Sequence, residues 1–176
     1  MNKIKEYRAK PLSKNNIKKI AEVILDKVIN PYGESFDVIA FMEFTLPKIF
    51  PEFRYEIGDK SEMGDNHGET LLKKRIIRIR EDVYEGAIYG LGRDRFTIAH
   101  EIGHLLLHTK GDIKLARSGN KVKPYESPEW QANCFASELL MPERLISKDD
   151  TIQSIMERFQ VTQTAARVRL EKLRIL

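Results

Sequence analysis

The sequence predicts an α+β fold: a mostly helical single domain with a small antiparallel sheet of two to four short strands packed on one central helix, ending in a pair of helices. Three observations lead there. Apolar residues recur at helical spacing over most of the chain, while the alternation that marks strands is confined to residues 53–80. With 176 residues and 41% hydrophobic content, the chain is long enough to bury one real core. Residues 1–148 then make the main unit, and 149–176 form a C-terminal lobe packed on it.

From Ser13 to Ile29, the residues Ile17, Ile20, Ala21, Ile24, Leu25 and Val28 fall on one helical face. Ser35 caps a second helix from Asp37 toward Leu46, which Pro47 and Pro51 end. Phe53, Tyr55 and Ile57 alternate with charged residues, as Ile77 and Ile79 do with Arg78 and Arg80. Short strands therefore flank a glycine-containing loop from Gly58 to Gly68. The strand near Ile76 to Arg80 offers an edge for adding a peptide strand. Arg78 and Arg80 then either face an acidic substrate or stand as solvated edge charges. Asp94 caps a strongly apolar helix from 94 to 108, and Ser127-Pro128 opens another that runs to Leu140. Thr151 to Phe159 and Thr162 to Arg174 form the closing pair.

Composition narrows the function classes. No run of 18 apolar residues occurs, and Met1 to Lys5 lead into no apolar h-region, so a cytoplasmic protein without a membrane partner is expected. Cys134 is the single cysteine, which excludes an intrachain disulfide and reads as a small buried residue rather than a nucleophile. Thirty basic against 26 acidic residues is a mild excess. Arg167, Arg169, Lys172 and Arg174 gather near the C-terminus, where solvated charge is the default reading over a DNA interface. No feature fixes the oligomeric state.

The chemistry concentrates in His100-Glu101-Ile102-Gly103-His104. Positions i and i+4 on a helix lie within about 40° of each other, so both imidazoles can reach one metal ion, with Glu101 beside that ion rather than on it. A carboxylate there can take a proton from a water that zinc has acidified. Histidine and glutamate are costly to bury in so apolar a helix without a partner such as a metal. Gly103 costs helix stability and points to another backbone packing closely. His67 sits in a glycine-flanked turn and is left outside the site.

A catalytic zinc site takes three protein ligands and leaves a position open. Four residues are candidates for the third: His108, Glu126, Glu129 and Glu138. His108 is rotated about 80° from His100 and stands roughly 12 Å along the helix, too far to share the metal. Glu138 points away from Glu129 on their common helix, whereas Ala132, Asn133 and Ala136 share the face of Glu129. Glu129 is therefore the best third ligand. The two alanines permit close approach to the metal helix, and Asn133 can hydrogen-bond a ligand. Tyr125, Tyr89 and His108 remain open as donors to an oxyanion.

These residues support a resemblance. The stretches Arg95 to His108 and Glu129 to Pro142 resemble the ImmA/IrrE family of zinc metallopeptidases, and residues 159–173 look like that family's helix-turn-helix-like ending. The resemblance implies a gluzincin-like site with His100, His104 and Glu129 on Zn²⁺, which Mn²⁺ can replace in vitro, and Glu101 as general base. It also implies a protein substrate, a helix-turn-helix transcriptional repressor of a mobile element, phage or stress locus. A second class of function fits the same ending: a non-proteolytic regulatory module that binds DNA or a repressor through its C-terminal helices, its zinc site structural or inactive.

Overall fold

A computed structural model describes residues 7–28, 35–108, 113–115 and 122–176. Met1 to Lys5 and Ile29 lie outside the described residues. The chain opens with β1 (Tyr7–Arg8) and α1 (Lys14–Lys27), whose N-cap Ser13 accepts from the Asn16 amide. Two short helices follow, α2 (Val38–Ala40) and α3 (Leu46–Ile49), joined by a π turn over Phe41–Thr45. Then come β2 (Arg54–Gly58), α4 (Lys60–Met63), β3 (Gly68–Leu71), β4 (Ile76–Arg80), α5 (Glu81–Ile88) and α6 (Gly92–Leu107). The order finishes with β5 (Lys114–Leu115), α7 (Pro128–Leu140), α8 (Ile152–Phe159) and α9 (Gln163–Lys172). The fold is mostly helical α+β, as expected.

Several boundaries differ for identifiable reasons. Asp37, not Ser35, caps α2 by accepting from the Ala40 amide at 2.9 Å, while Ser35 accepts from Arg95. Pro47 does not end this segment. Lacking an N–H and crowding the carbonyl four residues back, a proline breaks an α ladder, and the wider π turn, with the Leu46 amide bonding the Phe41 carbonyl, lets the chain coil through to Ile49. Leu91 caps α6, so the helix starts two residues before Asp94, whose carboxylate folds back over Gly86. The loop from Gly58 to Gly68 contains α4, and the ribbon of β1 with β5 was not foreseen.

The sheet is mixed rather than antiparallel, in the order β2-β4-β3. β3 and β4 form an antiparallel hairpin, whereas β2 runs parallel to β4, with Arg54 opposite Ile76 and Ile57 opposite Ile79. The connection over residues 59–75 carries a helix and a strand, enough chain for a parallel return. β4 is thus central, and its backbone edges are both paired. The free edges are β2 and β3. Arg78 and Arg80 are not edge charges, because β4 is paired on both sides. Arg78 lies within 3.9 Å of Glu56, Glu62 and Glu69, and buried Arg80 pairs with Asp82 at 2.6 Å and donates to the Gly64 carbonyl.

The core forms where α6 packs on α7, α5 and the sheet, and α7 packs in turn on α1. Ile98, Ala99 and Ile102 of α6, Phe135 and Leu139 of α7, Ile77 and Ile79 of β4, and Ile17 and Ala21 of α1 are fully buried together. Arg95 is also buried, its guanidinium donating to Ser35 Oγ and the Phe36 carbonyl, each at 2.8 Å. The closing helices join the same core through Ile155, Phe159, Ala166 and Leu170. Between them and α7 lies a fully buried ion pair: the Arg169 guanidinium donates to both Glu138 carboxylate oxygens at 2.7 Å. Bidentate geometry offsets much of the desolvation that burying these charges costs. Glu138→Gln should therefore destabilise the protein by about 3–5 kcal/mol, because the Arg169 charge is left uncompensated. Replacing both residues with leucine should cost less than either single change. Urea titration decides this: additive losses would contradict the pairing.

Candidate metal centre

Gly103 sets the distance between the two helices that build the site. A Cβ there would stand 3.1 Å from a Phe135 ring carbon and 3.2 Å from the Cα and carbonyl oxygen of Ala132, so only glycine admits α7 at this spacing without displacement. Ala132 and Ala136, both fully buried, keep the facing surface small. The close backbone approach expected at Gly103 is present. α7 begins as expected too, with Ser127 capping the Trp130 amide and Pro128 at the first position. Glu129 therefore leaves the first turn of α7 opposite the histidines of α6.

His100, His104 and Glu129 bring one ligand atom each to within 4.8 Å of one another. The two Nε2 atoms are 3.0 Å apart, and they lie 3.2 Å and 3.4 Å from the Glu129 carboxylate. The histidines are recessed, with side chains 16% and 12% exposed, while that of Glu129 is 71% exposed. Of the other residues weighed as third ligand, Glu126 lies 3.6 Å from Arg8, Glu138 pairs with Arg169, and His108, just past the end of α6, meets Nδ1 of His104 and not the Nε2 atoms that face Glu129.

The surrounding hydrogen bonds set the protonation of these rings. Gln131, fully buried on α7, donates both amide hydrogens to backbone carbonyls, Lys10 at 2.9 Å and Tyr125 at 2.7 Å. Its oxygen therefore faces His108 Nε2 at 2.8 Å, and that nitrogen must carry the proton. With Nε2 as the donor, a neutral His108 would offer a lone pair at Nδ1 to the Nδ1 of His104, 3.2 Å away. Asn133 Oδ1 likewise accepts from His100 Nδ1 at 3.1 Å. With Nδ1 of each ring engaged elsewhere, the Nε2 atoms face the Glu129 carboxylate, donating to it when protonated and offering lone pairs to a cation when not. Two imidazole nitrogens and a carboxylate oxygen so arranged need a proton or a cation between them, and the set suits zinc.

Glu101 is buried, 7% exposed, behind the two histidines. Thr70 of β3 donates to its carboxylate at 2.7 Å, and Gly68 on the same strand gives it room, since a Cβ there would come within 2.9 Å of Glu101 Cγ. Thr70 and Gln131 were missed from the sequence. Gln131 left a trace, as a polar residue on an otherwise apolar helix face, whereas no local pattern links Thr70 to a residue 31 positions on. Of the residues considered for an oxyanion, His108 is buried with both ring nitrogens engaged, Tyr89 is 83% exposed, and Tyr125 is half-exposed under Lys123. Cys134 is half-buried rather than buried, and burial holds its thiol above the ordinary range, which agrees with no nucleophilic role.

A mostly helical domain carrying two helix-borne histidines, a facing carboxylate and a buried glutamate has the arrangement of a metallopeptidase. The family model of the IrrE N-terminal-like domain, peptidase family M78, matches residues 60–171, from α4 almost to the end of α9. The chain belongs to this family. Comparison with curated proteins found no match. Among the described residues no helix is long and apolar enough to cross a membrane.

Electrostatics give the site a pH dependence. Burial pushes the His100 imidazole down, but the Glu129 hydrogen bond and the Glu101 and Glu129 charges outweigh it, and the net shift is upward from 6.5. Hydrogen bonds from His100 and then His104 hold the Glu129 carboxylate far below its ordinary range. A raised His100 keeps its proton to higher pH, and metal uptake must expel it, whereas Glu129 is already ionised. Zinc affinity should accordingly fall as pH drops from about 8 to about 6, following one proton. A chelator competition that finds no change over this range would contradict it. His100→Ala and Glu129→Ala should lose the metal while remaining folded. Gln131→Ala and His108→Ala should retain one metal per chain with affinity weakened about 10- to 100-fold. Full metal content in the first two variants would refute the ligand set.

Proposed function

We propose that this protein is a cytoplasmic zinc endopeptidase whose substrate is another protein, a helix-turn-helix transcriptional repressor of a mobile element, phage or stress locus. One observation carries the enzymatic reading: a buried carboxylate, Glu101, oriented by Thr70, stands beside a cluster of two imidazole nitrogens and a carboxylate. Family membership supports peptidase activity. The repressor rests on the resemblance alone.

His100, His104 and Glu129 would hold the metal. Zinc bound there acidifies a water and polarises a peptide carbonyl. Glu101 takes the proton from the attacking water and passes it to the nitrogen of the departing amine. Thr70 has a single hydroxyl proton, and its shorter bond, 2.7 Å against 3.0 Å to the Glu101 backbone carbonyl, directs it to the carboxylate. That bond aims Glu101 and leaves its second oxygen open to a proton. β3, an edge strand lying along α6, supplies the backbone on which an extended substrate segment can pair.

The regulatory-module reading fits less well. Arg169, one of four cations gathered near the C-terminus, is fully buried against Glu138 and presents no charge to DNA. Glu101→Gln separates the two. It keeps the volume and the metal but cannot accept the proton, so cleavage of a helix-turn-helix repressor encoded beside the gene should fall at least about 100-fold. Gel analysis of the repressor, with release of its promoter followed in cells, gives the answer. Equal cleavage by both proteins would remove Glu101 as base, and promoter release without cleavage would favour the binding module.

A further inference from the structure

The faces of α6 and α7 that carry the metal cluster do not stop there. Phe96 and Thr97 lie one turn ahead of His100 and Glu101, and Arg93 one turn further, while Asn133 and Ser137 continue the face of Glu129. These residues wall a groove of about 480 Å³, closed on its far side by Met141 and by α9 through Ala165, Val168 and Lys172. The volume falls within the roughly 300–1,000 Å³ of ordinary ligand pockets. Asn133 belongs to both places: it lines the groove and holds the His100 ring at 3.1 Å. Two helical turns carry the groove roughly 11 Å from the cluster, the span of about three extended residues.

Its lining is specific. Phe96, Trp130, Met141 and Val168 supply apolar surface, and among the described residues the charged ones that line it are Arg93 and Lys172, both exposed, with no acidic side chain. Arg93 also contacts His67 Nδ1 at 3.1 Å, which keeps its guanidinium at the rim. A groove that adjoins the cluster, is apolar within and is cationic at the rim complements one kind of chain.

We infer that this groove is the subsite that selects the substrate, accepting on one side of the scissile bond an extended segment of large apolar side chains adjoining acidic ones. This rests on the peptidase reading above, and the two can fail separately. Apolar side chains gain by leaving water against Trp130 and Phe96, while Lys172 discriminates by charge and rejects basic segments.

Trp130 is the sole tryptophan of the chain, so its emission reports the groove without any need for hydrolysis. The zinc-loaded Glu101→Gln protein is titrated with an acetylated, amidated peptide of two leucines flanked by glutamates, and with its lysine-flanked counterpart. The glutamate peptide should shift Trp130 emission saturably, and the lysine peptide should bind at least roughly fivefold more weakly. Lys172→Glu should invert that preference, and Lys172→Arg should restore it. No saturable response to the glutamate peptide, or equal affinity for the two peptides, would overturn the proposal. Repressor cleavage by the native protein with a silent Trp130 would sink the groove and keep the peptidase. A responding Trp130 in a protein that cleaves nothing would do the reverse.

Discussion

Everything at the centre depends on how closely α7 lies against α6. The contact is backbone against backbone at Gly103 and Ala132, with a notional Cβ at Gly103 only 3.2 Å from Ala132 Cα. That separation decides whether Glu129, three residues before Ala132, reaches the two imidazoles, one three residues before Gly103 and one directly after it, or misses them. Helix packing here also sets the geometry of the cluster. The same contact buries Phe135 and Leu139 against Ile98 and Ile102, so the hydrophobic energy of the core holds the cluster together.

Two polar systems then orient the groups from opposite sides. On one, the carbonyls of Lys10 and Tyr125 fix the Gln131 amide, which fixes His108, which fixes His104. This chain links the segment before α1 to a ring on α6. On the other, β3 brings Thr70 to the Glu101 carboxylate. Gln131, His108, His104, Thr70 and Glu101 are buried or half-buried, where a hydrogen bond is stronger and a missing partner more costly than in water. Glu101 and the His104 imidazole are therefore aimed by separate parts of the fold.

What the sequence disclosed follows from the range of the interactions concerned. Spacings within one helix were legible: His100 with His104, Glu129 with Asn133, the Ser127-Pro128 start of α7, and the opposite orientation of Glu138. Each follows from a 3.6-residue repeat. The partner of Glu138 was not, because Arg169 belongs to a helix 31 residues on and looked like part of a solvated basic cluster. The parallel pairing of β2 with β4, the ribbon of β1 with β5, and the bonds of Thr70 and Gln131 are all of this kind. Nothing in a local window distinguishes a strand that returns parallel from one that turns back. The π turn at Phe41–Thr45 was a different failure: Pro47 carried the usual breaker signal, and the chain absorbed it by widening one turn.

β3 is only four residues long, yet Gly68 and Thr70 both face Glu101 while Glu69 turns toward Arg78. The strand's outer backbone groups therefore stand at fixed offsets from Glu101. A polypeptide laid along this edge cannot slide continuously past it. It can move only by whole pairs of residues, about 6.8 Å, without turning every side chain to the opposite face. Were a substrate segment to pair there, the short strand would act as a ruler with two-residue graduations: among neighbouring peptide bonds it would present alternate ones to Glu101 and skip those between.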